Sequence, residues 1–250
     1  MNVDITILII VFIIGFFARL LSNLAGGGAG LIEAPLLLML GVPPKITVAT
    51  RKFSAIGGHG IAAYQFHKFK KIDWKIAIIL AAITVIATII GANILIAINE
   101  ELIKNLIAIM MLVALPFTFF KKSFGMKRKI VSKSKEISGY VINFFIFILD
   151  SFVGVGGGLL SSLSIIIFMG LTYLEINAIR RITGLTLAIV SSIIFTYYGL
   201  IDWMIGLFLM MGGILGGYLG ANIAIKKGSA LVKIVLTIVV ILSVAKLLFL

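Results

Sequence analysis

Two pairs of adjacent cations, Arg51-Lys52 and Arg180-Arg181, lie about two turns into otherwise apolar segments. An uncompensated cation at a bilayer centre costs about 2.5–3.5 kcal/mol on insertion scales. An anion or a buried carboxylate beside each pair removes that cost. Two glycine runs, Gly26-Gly27-Gly28-Ala29-Gly30 and Gly154-Val155-Gly156-Gly157-Gly158, each precede a short apolar segment. Glycine lets the chain turn sharply and approach another group closely. A helix that starts just after such a run points unpaired N–H groups and a positive dipole end into the protein. That is an anion-binding device made without side chains. The candidate anion ligands are therefore Gly26, Gly27, Gly28, Thr50, Arg51, Lys52, Gly156, Gly157, Gly158, Arg180 and Arg181. The structural alternatives are tight glycine packing in lipid and snorkelling of the cations to the interface.

Acidic residues in apolar surroundings are few: Glu33, Asp150 and Glu175. Each could pair with the cations or carry a coupled proton. His59, flanked by glycines, is a group that titrates near neutrality or else a packed, hydrogen-bonded histidine. Asn93 and Asn222 sit in matching Gly-Ala-Asn sequences suited to helix packing. No cysteine is present, there is no His-x-x-x-His pair and no Walker-type loop. No metal, cofactor or catalytic constellation is expected, so nothing supports an enzyme.

The elements that must hold these residues follow from composition. Of 250 residues 61% are hydrophobic and 12% charged, against about 25% charged in an ordinary soluble domain. Lipid must be the solvent for most of this surface. The runs Ile76–Ile98 and Leu102–Phe120 are unbroken, whereas barrel strands alternate in polarity over about ten residues. Helices are expected. The N-terminal Met-Asn-Val-Asp has no basic region before its apolar run, so it reads as a retained helix. A net charge of +13 fits basic residues held on one membrane face rather than nucleic-acid binding.

The tryptophans reveal a duplication. Asp73-Trp74 and Asp202-Trp203 are 129 positions apart. The same shift places Gly27-Gly28 on Gly156-Gly157, Gly41 on Gly170, Arg51-Lys52 on Arg180-Arg181, and Gly91-Ala92-Asn93-Ile94 on Gly220-Ala221-Asn222-Ile223. Asp caps the fourth segment of each half and Trp belongs to the interfacial belt. Each half divides into a long segment, a short one (Leu31–Leu40 or Leu159–Met169) and three long ones, giving about 8–10 membrane segments. The short ones cover only about 16 Å of a core about 30 Å thick; they are half-helices, re-entrant pieces or steeply supported spans.

The expected domains are a first repeat, 1–120, a basic linker, 121–136, and a second repeat, 137–250. The positive-inside rule puts the linker, Lys68, Lys70 and Lys71, and Lys226-Lys227 in the cytoplasm, with Glu100-Glu101 and both termini outside. That holds only if the second repeat is inverted, which would carry the two cation pairs toward opposite faces unless the helices extend past the bilayer. The expected fold class is all-α transmembrane, two inverted-topology repeats of about five helical segments each.

Several motifs in order resemble the sulfite exporter TauE/SafE family of membrane permeases. They are the glycine run leading to Pro35 and Gly41, then Ala49-Thr50, Lys71-Ile72-Asp73-Trp74 and Gly91-Ala92-Asn93, with the repeat at Gly154–Gly170, Ala178, Ile201-Asp202-Trp203 and Gly220-Ala221. The likeness covers essentially the whole chain. It implies transport of small sulfur-containing anions, sulfite or organosulfonates, across the cytoplasmic membrane. The sequence departs from the family where Thr50 leads into Arg51-Lys52, where Ile179 replaces the second-half threonine, and where Ser164 stands opposite Pro35. The expectation is a secondary transporter or exporter of a small anion working by alternating access in the lipid bilayer. A passive anion channel or a cation antiporter using Glu33, Asp150 and Glu175 are the alternatives.

Overall fold

A computed structural model describes residues 4–25, 27–69, 72–118 and 128–227. Gly26, Lys70, Lys71, the linker residues 121–127 and the expected last segment, 230–250, lie outside the described residues. The described residues form helices and no strand. In chain order they are α1 (Ile5–Ala25), α2 (Ala29–Met39), α3 (Pro44–Lys68), α4 (Trp74–Ala97), α5 (Glu100–Thr118), α6 (Lys133–Val153), α7 (Gly157–Ser164), α8 (Tyr173–Tyr197) and α9 (Trp203–Lys227). A single π-helical stretch, Ile165–Met169, continues α7 from Ser164, the position equivalent to Pro35 in α2.

Local chemistry explains where these elements begin. Asp73 Oδ1 accepts from the Ile76 N–H at 3.4 Å and Asp202 Oδ1 from the Ile205 N–H at 3.0 Å, so the same cap opens α4 and α9. Thr172 and Glu175 form a reciprocal capping box on α8. Pro44 stands at the first position of α3, where its missing N–H is not needed. The short segments end up as α2, of 11 residues, and α7 with its π extension; at about 1.5 Å per residue α2 does not cross a bilayer.

Among the described residues, five helices are long and apolar enough to span a membrane: Ile5–Leu24, Trp74–Ala97, Lys133–Val153, Leu174–Tyr197 and Trp203–Lys226. The surface is turned accordingly. Ile9, Ile78, Phe145 and Ile193 are exposed, while Asn23, Glu33, Thr47 and Ser191 are fully buried, the reverse of a soluble protein's distribution.

The two repeats interleave. The first helix of each packs on the fourth of the other, α1 on α9 and α6 on α4; α3 packs on α8 and α9, and α8 on α4. The extensive pairings of long helices therefore join one repeat to the other. A stretch of α9, Gly212, Gly216 and Gly220, makes the closest of these contacts possible. A Cβ at Gly212 would fall on the Phe12 carbonyl oxygen and one at Gly216 on that of Phe16. The glycines recur every fourth residue, as do the carbonyls they meet, so the contact repeats each turn. Gly217, one position round, meets the Gly58 carbonyl of α3 at 2.8 Å from its built Cβ. Thus α9 is wedged between α1 and α3.

Candidate functional site

Where α1, α3 and α8 face the two glycine turns, a cavity of about 60 Å³ remains, lined by Arg19, Arg51, Lys52, Arg180, Arg181, Asp150 and His59 among others. A water needs roughly 10–15 Å³ of such space, so the cavity has room for a few waters or one small oxyanion. The five cations are all buried, Arg19 and Arg51 to 4% exposure, Lys52 to 7%, Arg180 to 6% and Arg181 to 1%. Snorkelling is thereby ruled out for the two pairs. The Arg51 and Arg180 pairs also meet at this one cavity, although inversion was expected to send them toward opposite faces. They meet because α3 and α8 pack directly on each other.

Carboxylates compensate part of this charge. Glu33 of α2, fully buried, bridges two helices: Arg19 Nε lies 2.9 Å from its Oε1 and Arg51 Nε 3.1 Å from its Oε2. Arg51 Nη1 donates to the Gly154 carbonyl at 3.0 Å, tying α3 to the second glycine turn. Lys52 Nζ donates to the Asp150 carbonyl at 2.7 Å and lies 3.5 Å from its Oδ1. Five cations thus face two acids, a formal excess of three positive charges. His59 Nε2 sits 3.4 Å from Arg19 Nη1; because a guanidinium only donates, the histidine nitrogen is the acceptor in that contact.

The glycines serve both of the roles their spacing suggested. Gly28 (φ 96°) and Gly156 (φ 78°) turn the chain in left-handed conformations immediately before α2 and α7, and no side chain caps either helix. The first-turn N–H groups therefore have no side-chain acceptor. The same runs also allow close approach. A Cβ at Gly30 would stand 2.6 Å from Arg51 Nη2, and one at Gly27 would stand 3.1 Å from the Gly158 carbonyl carbon.

Of the residues singled out in the sequence, Gly27, Gly28, Arg51, Lys52, Gly156, Gly158, Arg180, Arg181, His59 and Asp150 line the cavity, and Glu33 stands behind Arg19 and Arg51. Gly157 is instead packed against the Asp150 side chain. Thr50 faces away: its buried Oγ1 accepts from the Asp202 N–H at 2.9 Å, pinning the α8–α9 turn to α3. Thr50→Val is expected to cost about 1–3 kcal/mol by leaving that N–H unpaired. A thermal shift in detergent indistinguishable from wild type would refute this. Glu175 takes the ion-pair course open to it, with Arg128 at 3.1 Å rather than with either cation pair, and it also caps α8. At the third helical position its carboxylate turns back to the Thr172 N–H. Arg19 is not among the sequence candidates: its repeat-equivalent position is Ile148, so the duplication does not mark it. The signal was present: it is the one charged residue of Ile5–Ala25, and ionisable residues inside spans mark functional interiors.

A bundle of membrane-length helices around a buried, positively charged cavity is the architecture of a multi-pass membrane transporter. The chain belongs to the sulfite exporter TauE/SafE family, whose sequence model matches residues 11–247. It is 27% identical over 249 residues to a probable membrane transporter protein of Haemophilus influenzae, covering 100% of this chain and 97% of that one. It is 24% identical to the probable membrane transporter protein YfcA of Escherichia coli, covering 96% and 89% respectively. The probable membrane transporter protein ORF9 of Sinorhizobium is likewise 24% identical, with 93% and 89% covered. No solved structure matches the chain.

Proposed function

We propose that this chain moves a small oxyanion, sulfite or an organosulfonate, across the cytoplasmic membrane by alternating access. The observation that supports this reading is the formal excess of positive charge buried around the cavity. Buried charge of one sign is costly unless a partner neutralises it, and a mobile anion would be that partner. The first-turn N–H groups of α2 and α7, which no side chain caps, add a second set of donors. In this reading the repeats, 1–120 and 137–250, are inverted, the linker 121–136 faces the cytoplasm and both termini face out. Inverted repeats with broken helices meeting at a central site are a recurring transporter plan. In this reading the bodies that rock are α1 with α9 and α6 with α4, pairs that pack on each other and are each drawn from both repeats.

Proteoliposomes loaded with buffer and given labelled sulfite, an organosulfonate, chloride or a monovalent cation test this, with and without a proton gradient. The expected result is saturable uptake of an oxyanion that unlabelled oxyanions compete down. Flux rising linearly with concentration would make the protein a channel. Uptake confined to the cation would overturn the proposal.

A further inference from the structure

The duplicated arginines stand in unlike surroundings, although the sequence makes them equivalents. The contact ion pairs of both acids near the cavity go to the first repeat's cations, and Asp150 acts on Arg180 only through space. Glu33 holds Arg51 and Arg19, and Asp150, contributed by the second repeat, holds Lys52. Neither acid has a repeat counterpart: Ser162 stands opposite Glu33, and Leu21 opposite Asp150. Arg51 is further fixed through the Gly154 carbonyl. Arg180 differs. It is 6% exposed, forms none of the ion pairs found among the described residues, and its buried Nε has no hydrogen-bond partner there. It also lies where the two glycine turns converge. An atom built on Gly158 would stand 2.7 Å from Arg180 Nη2 and 3.5 Å from the Gly28 nitrogen. A guanidinium and backbone donors from both repeats thus border one small space.

We propose that the two arginines have divided their roles: Arg180 is the ligand of the transported anion, and Arg51 is a positioning residue. Arg51 and Glu33 hold the second glycine turn in place so that the N–H groups of α2 and α7 border the space beside Arg180. The anion completes the unpaired Arg180 Nε, as a carboxylate already completes Arg51. The proposal rests on the anion-transport reading and makes the site one-sided, weighted to the second repeat.

The test uses purified full-length protein, with sodium sulfite and methanesulfonate as probes. Three variants are compared: Arg180→Gln, Arg51→Gln and the charge-balanced Arg51→Gln/Glu33→Gln, which leaves an acceptor oxygen beside Arg19. Thermal unfolding of the empty protein comes first. Arg180→Gln is expected to keep or raise Tm, because it removes a buried charge that has no contact ion pair, whereas Arg51→Gln lowers Tm by breaking a satisfied pair. Anion binding comes second, since a ligand that binds the native state raises Tm. That rise is expected in wild type and lost in Arg180→Gln. Uptake comes third. Arg180→Gln is expected to raise the half-saturating concentration at least about tenfold, the loss of a charged hydrogen bond. The balanced double variant lowers the maximal rate and changes half-saturation less than about threefold.

Equal rises in half-saturation for Arg180→Gln and the double variant would overturn the division of roles while leaving anion transport standing. So would a fall in the empty protein's Tm as large for Arg180→Gln as for Arg51→Gln. If no oxyanion shifts wild-type Tm or enters the vesicles, the anion reading fails, and Arg180 as ligand fails with it. In that case the contrast in empty-protein Tm still decides whether Arg51 alone is structural.

Discussion

Replacing Glu33 with alanine is expected to strip the protein of most of its stability. The carboxylate is fully buried and lies within 3.1 Å of guanidinium nitrogens from both α1 and α3. Its loss leaves Arg19 and Arg51 in the interior, both 4% exposed, with no carboxylate beside either. Removing one partner of a buried ion pair typically costs about 3–5 kcal/mol, and here two cations lose the same partner. Native proteins hold only about 5–15 kcal/mol in total. A fall in Tm on the order of 10 °C, or failure to recover monodisperse protein from detergent, is the expected measurement. Glu33→Gln, which keeps an acceptor oxygen, should fall between alanine and wild type. A Tm within about 2 °C of wild type for Glu33→Ala would show that water or another anion already serves both arginines.

The second large effect concerns the glycines of α9. Gly212→Ala combined with Gly216→Ala places two methyl groups on the carbonyl oxygens of Phe12 and Phe16. The atoms they meet are backbone, so no side-chain rotation relieves them and α1 must move away from α9. Overpacking costs about 1–3 kcal/mol per site, and in lipid the lost van der Waals contact is what holds helices together. The control carries the opposite sign. Gly60, inside α3, has only the Leu185 Cδ1 near a built Cβ, at 4.0 Å. Gly60→Ala should therefore stabilise by about 0.5–1 kcal/mol through helix propensity. Equal effects from the two changes would mean that glycine content, not the close approach of α1 and α9, sets stability.

The interleaving changes what a duplication means for motion. A repeated sequence invites a picture of two halves rocking as units, yet α1 lies on α9 and α6 on α4. Local chemistry does not distinguish these arrangements, because the apolar face of a helix suits several partners. What selects the partner is shape. Gly212, Gly216 and Gly220 give α9 a groove at one-turn intervals, and the α1 backbone fits it. At the equivalent positions α4 carries Ile83, Ala87 and Gly91, and only Gly91 allows the same closeness, toward Ile148 of α6.

The cation pairs were legible because charge inside an apolar run is rare and because they recur. The glycine turns were legible for the same reason, and their left-handed φ values at Gly28 and Gly156 bear that out. Arg19 and the Glu33 bridge depend on single occurrences, which no repeat amplifies. The sequence left open which cation Glu175 would meet, because a carboxylate in the first turn of a helix turns back toward its own start, and there Arg128 reaches it.

By itself the sequence determined the helices, their caps at Asp73 and Asp202, the two short segments and the duplication, since each follows from residue type at short range or from a fixed spacing. It also placed two cation pairs in apolar surroundings, and with them the demand for a negative partner. Only the tertiary structure decided which partner each received. Glu33 reaches Arg51 from 18 residues away and Asp150 reaches Lys52 from 98, distances that helix packing alone can close. That packing compensated Arg51 and Lys52 and left Arg180 Nε open, turning two equivalent arginines into two different ones.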